Sequence, residues 1–69
     1  MPGPKRGDHV EWNTSQGPTC GTVVRTVTAR TNVQGHVAKA SPGHPEVEVR
    51  SDKSGARAVH RPGALKKVR

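Results

Sequence analysis

The chain has 69 residues, 12 Lys and Arg against 5 Asp and Glu, a formal charge of +7 at pH 7, and a hydrophobic fraction of only 29%. So short a chain builds one core and excludes a second domain, and its thin apolar inventory lets burial offset chain entropy only narrowly. One cysteine, Cys20, excludes an internal disulfide, and no apolar run approaches the roughly eighteen residues of a membrane span, so a reducing cytoplasmic setting without a membrane partner is expected.

Ten valines supply nearly all the bulky aliphatic side chains, beside one leucine (Leu65) and no isoleucine. β-branching suits a pleated sheet better than a helix. Residues 1–6 combine two prolines, a glycine and two cations and lead into no apolar run, which predicts a mobile basic tail without a signal peptide, and a domain over 7–69. Gly7 to Trp12 alternates, with Val10 and Trp12 on one face and His9 and Glu11 on the other, as in a strand with one dry side. Asn13 to Pro18 gathers turn-formers and predicts a loop of moderate length. Cys20 to Thr31 is the longest β-rich run, and its Val23-Val24 pair breaks the alternation where the strand would bend at a barrel corner.

Asn32 to Gly35 offers a hairpin turn, Val37 to Ala40 a weak third strand, and Ser41 to Pro45 a loop. Glu46 to Ser51 alternates most clearly, with Val47 and Val49 inward and Glu46, Glu48 and Arg50 outward. Asp52-Lys53-Ser54-Gly55 matches a turn closed by a left-handed glycine, so Ala56 to Arg61 should return antiparallel. Pro62 and Gly63 end that strand, and Ala64 to Val68 forms a helical turn or a last short strand in which Leu65 plugs one end of the core. The result is an all-β domain: a small five-stranded barrel with a short C-terminal helical turn.

The segments Gly7-Asp8-His9-Val10-Glu11-Trp12, Gly21-Thr22-Val23-Val24, Val47 to Gly55, and His60-Arg61-Pro62-Gly63-Ala64-Leu65-Lys66-Lys67 resemble the hypervirulence-associated Tudor-domain family. The resemblance spans about residues 5 to 68 and implies an SH3-like barrel, a fold that assigns no ligand by itself. Tudor domains that read methyl-lysine surround the cation with several aromatic faces. This chain has no Tyr, no Phe and one Trp, and Val47 stands where the resemblance implies an aromatic residue, so no such cage is expected within one chain.

The basic residues then become the candidate site. Arg50, Lys53, Arg57 and Arg61 cluster around one predicted hairpin, with Arg25, Lys66 and Lys67 as further cations and Trp12 as the one aromatic platform for a base. Two readings stand side by side. Either these cations contact phosphates of DNA or RNA without sequence preference, or they form a solvated face paired with Glu46, Glu48 and Asp52. Trp12, in register with Val10, is a core or rim anchor first and a ligand contact second. His9, His36, His44 and His60 lack metal-site spacing, so no metal or cofactor is expected. No phosphate-cradling glycine motif, nucleophile elbow or paired carboxylates appear, so the chain does not read as an enzyme, unless a symmetric oligomer builds a site between subunits. The alternative partner is an acidic or other protein held by a barrel groove or sheet edge, with the chain a monomer or small homo-oligomer.

Overall fold

Alternation in the first third of the chain becomes a β-hairpin of β1 (His9–Thr14) and β2 (Gly17–Val27) in the computed structural model, which describes residues 4–68. Met1 to Gly3 of the expected tail, and Arg69, lie outside the described residues. From Lys5 onward the chain is tied down: the Lys5 carbonyl accepts from the Asp8 N–H (2.9 Å), and the Gly7 N–H donates to the Val23 carbonyl (2.9 Å).

The loop expected over 13–18 is instead a two-residue turn, Ser15-Gln16, with Thr14 opposite Gly17 and Asn13 opposite Pro18. Gly17 takes φ +108, which a side chain would resist, and Thr14 Oγ1 both donates to the Gly17 carbonyl (2.8 Å) and accepts from the Gln16 N–H (3.1 Å). Pro18 is tolerated because β2 pairs there with β1 alone; pairing with the strand on its other side starts at Gly21.

That other neighbour is β5 (Glu46–Ser51), which hairpins through Gly55 (φ +74) into β6 (Arg57–His60), as the turn residues foretold. β2 bends where expected: its register against β5 shifts between Val23 and Arg25, leaving Val24 as the extra residue. It ends at Val27, earlier than expected. Thr31 already belongs to β3 (Thr31–Val33), which pairs with β4 (His36–Ala38) in a separate two-stranded hairpin. After a 3₁₀ turn (Pro62–Ala64), β7 (Lys66–Lys67) pairs with β1, so the main sheet is antiparallel in the order β6-β5-β2-β1-β7. Seven strands thus stand where five were expected, five in the main sheet and two in the β3–β4 hairpin, in an all-β barrel fold.

Residues directly opposite in antiparallel strands share a face. Val23, Val49 and Ala58 therefore point one way, with Val47 and His60 beside them, and this face holds the core cluster of Val10, Trp12, Val23, Val47 and Val49. Leu65 packs partly buried against the cluster, as expected of the plug. Trp12 on β1 and His60 on β6 have ring centroids 5.4 Å apart, although the two strands stand three places apart in the sheet. In a flat sheet three spacings of about 4.8 Å would keep them about 14 Å apart, so the sheet must curl around its core.

Gly21 permits that closure. A Cβ there would lie 2.1 Å from the Arg50 carbonyl oxygen and 2.7 Å from Trp12 Cη2, so β2 can pass under the indole against β5 only without a side chain. Gly21→Ala is expected to cost about 3 kcal/mol of stability, the upper range for overpacking, because a backbone carbonyl must move. Urea unfolding followed by Trp12 fluorescence checks this, and an unchanged midpoint would contradict the packing described.

Candidate functional site

The opposite face of the sheet carries the charge. Arg25, Glu48 and Val59 stand in one row across β2, β5 and β6, and Thr22, Arg50 and Arg57 in the next. The outward reading of Glu48 and Arg50 was correct for the face, but Glu48 is not in solvent. It is 2% exposed, the only buried charged side chain among the described residues. The β3–β4 hairpin lies over this part of the sheet, and the Gln34 side-chain carbonyl at its tip accepts from the backbone N–H of Arg57 (2.8 Å).

A carboxylate taken from water is costly unless paired. Arg25 Nε donates to Glu48 Oε1 at 2.7 Å, and Arg57 Nη1 lies 3.6 Å from Oε2. Both arginine side chains are about half exposed, so each keeps donors for water or a ligand. Arg50, directly opposite Arg57, makes no ion pair among the described residues. Arg25, Arg50, Arg57 and Glu48 line one groove with Asn32, Val33, Gln34 and Gly55, about 460 Å³ in volume.

The hairpin tip is itself constrained. Gln34 and Gly35 both have positive φ (49° and 83°), the two-residue turn that matches strand twist. A glutamine in the left-handed region costs of order 1 kcal/mol and persists where contacts hold it. Asn32 closes the turn by accepting the Gly35 N–H at its side-chain carbonyl (3.0 Å).

The other predicted site residues are distributed as follows. Lys53 sits in the β5–β6 turn and, with Arg57, lines a neighbouring groove of about 340 Å³ whose walls include Trp12, Pro18 and Ser54. That turn is anchored by Asp52: its N–H donates to the Cys20 carbonyl (3.0 Å), and its Oδ2 lies 2.5 Å from His9 Nε2. Arg61 lies beyond β6 in a third groove with Lys39, His44 and Glu46. Lys66 and Lys67 lie on β7, at the far end of the sheet order, with Lys67 Nζ 3.9 Å from Asp8 Oδ2. The fold thus brings Arg25, Arg50 and Arg57 together, sets Lys53 next to them, and leaves Arg61, Lys66 and Lys67 apart.

Trp12 is 6% exposed and packs over Gly21 and beside His60, so although it lines the neighbouring groove, little of its ring is left for a base to stack on. The sequence reading missed Asn32 and Gln34, which signalled only a turn, and missed the burial of Glu48. A carboxylate midway along the most regular strand, flanked by valines, was the available clue.

Because the burial is one-sided, removal of the two partners should be unequal. Arg25→Ala strands a buried carboxylate with a single partner at 3.6 Å and is expected to cost about 3 kcal/mol, whereas Glu48→Gln leaves two half-exposed arginines and costs about 1 kcal/mol. Urea denaturation of both variants and of the double variant checks the ordering. Equal costs would mean that Glu48 is not desolvated as described.

With this geometry in place, the family described as hypervirulence associated proteins, Tudor domain, matches residues 7–65, the hairpin sheet and its C-terminal turn together. No curated protein and no solved structure matches the chain. The match spans most of the chain, and with the curled antiparallel sheet it identifies the chain as a member of the hypervirulence-associated Tudor-domain family.

Proposed function

We propose that this Tudor-like domain is a binding module that associates with nucleic acid through the phosphate backbone, without sequence preference and without catalysis. The observation that carries the reading is the arrangement of Arg50 and Arg57. Like charges directly opposite on neighbouring strands are destabilising. Here Arg50 and Arg57 stand directly opposite on β5 and β6 and line one groove with Arg25, and the carboxylate lining that groove, Glu48, is 2% exposed. A polyanion laid over that face relieves the repulsion and releases its own condensed counterions.

Lys53, in the adjoining turn, extends the patch, and the net charge of +7 draws polyanions to it from a distance. Contacts of this kind position a strand without reading its bases. The absence of Tyr and Phe and the buried Trp12 leave no aromatic cage for a methylated side chain among the described residues, which supports an electrostatic partner.

Fluorescence anisotropy of a labelled duplex, titrated at several salt concentrations, tests the reading. With about three phosphate contacts, the logarithm of affinity should fall with the logarithm of salt at a slope of about −3. Arg50→Ala should shrink that slope by about 1, equally for duplexes of unrelated sequence. Binding no tighter than millimolar at about 50 mM salt would overturn the reading, and a partner retained at high salt would point to a protein ligand instead.

A further inference from the structure

The side chains that line the groove under the β3–β4 hairpin are mostly cationic or carry N–H donors. A backbone N–H can meet only an acceptor, so the bonds from Gly35 to Asn32 and from Arg57 to Gln34 settle which amide atom is which: both side-chain carbonyl oxygens are engaged inside the protein. Each of these two side chains also presents its NH₂ group, which only donates. Arg25, Arg50 and Arg57 likewise only donate. The one anionic acceptor, Glu48, is 2% exposed, with Oε1 taken by Arg25 and Oε2 facing Arg57.

All five polar side chains that can still meet a ligand carry N–H donors, and three cations against one carboxylate leave the groove with a formal excess of two positive charges. A neutral sugar, base edge or peptide would leave that excess charge uncompensated, whereas an anionic acceptor meets both the charge and the donors. A carboxylate offers two acceptor oxygens in one plane. A phosphoryl group offers several in a tetrahedral array with a charge of one to two, which matches guanidinium groups converging from different strands.

The contrast with the neighbouring grooves sharpens the assignment. The groove beside Trp12 is lined by Thr14, Thr19, Ser51 and Ser54, whose hydroxyls both donate and accept, and the groove beside Arg61 includes Glu46, which is only half-buried. Neither gathers three arginines.

We infer that the groove formed by Arg25, Arg50, Arg57, Asn32 and Gln34 is a discrete phosphoryl-binding site, holding one phosphate group at a time. The inference rests on the phosphate-contact reading above, which it narrows to one place and one ligand chemistry. The phosphate comes either from a nucleic-acid strand or from a small phosphate ester. Glu48 in this arrangement is a positioning residue: it fixes Arg25 and Arg57 on either side, while Arg50, with no ion pair among the described residues, is the guanidinium left for the ligand.

The test is a titration of the full chain, labelled with ¹⁵N, with inorganic phosphate at constant ionic strength held by chloride. The Nε–Hε signals of Arg25, Arg50 and Arg57 and the side-chain NH₂ signals of Asn32 and Gln34 should move together and saturate. Arg50→Gln, which breaks no ion pair, should weaken the response at least tenfold and leave the fold intact by its backbone spectrum. A short duplex added to the phosphate-loaded protein should then release the inorganic phosphate, read by ³¹P, and move the same signals to new positions that no longer depend on phosphate concentration, which assigns the phosphate to a strand. If the duplex leaves them in place, the site stands as one for a small phosphate ester and the nucleic-acid reading falls. Shifts that fail to saturate, or that spread equally over Lys53, Lys66 and Lys67, would overturn the site, and salt-dependent duplex binding would still stand or fail separately.

Discussion

A carboxylate can leave water only where cations replace its hydration, and in this chain that constraint falls on Glu48. It sits mid-strand on β5 in a groove also lined by Asn32, Val33 and Gln34 of the β3–β4 hairpin, and its replacements come from two strands, Arg25 on β2 and Arg57 on β6. The pairing is short on one side and longer on the other, so Arg25 supplies most of the compensation. From this one group follows the orientation of two arginines, while Arg50 makes no ion pair among the described residues. The core on the other face obeys a different constraint, the close pass of β2 at Gly21 beneath Trp12.

Much of the fold was legible because local signals agreed with the final topology. The alternation of Val10 with Trp12 and of Val47 with Val49 marked the inner face, and all four are buried. The Val23-Val24 doublet announced the bulge, and Gly55 the left-handed close of the β5–β6 hairpin. Where reading failed, the cause was tertiary. Asn13 to Pro18 has loop composition, yet a two-residue turn forms there because Pro18 meets β1 alone. Thr31 reads as a continuation of β2, and nothing local says that the chain breaks at Thr28 to begin a hairpin that folds over the sheet.

The candidate site was half legible for the same reason. Arg25, Arg50 and Arg57 stood out as cations, but their convergence depends on the register that places Arg50 opposite Arg57 and Glu48 in the adjoining row beside Arg25. Asn32 and Gln34 gain meaning only when their carbonyl oxygens are seen to be engaged, which leaves two ordinary turn residues with NH₂ groups to donate. Trp12 shows the reverse: a residue with an obvious chemistry for stacking is consumed by the core, because a chain with one aromatic side chain and few large aliphatic ones needs it there.

The central claim is that Glu48 and Arg25 form a desolvated pair that organizes the arginine face. Hydrogen exchange at the arginine Nε–Hε groups tests it most directly. The account predicts that the Arg25 Nε–H, held at 2.7 Å on a buried carboxylate, exchanges with water far more slowly than that of Arg50 and resonates apart from it. Equal and rapid exchange at Arg25, Arg50 and Arg57 would contradict it.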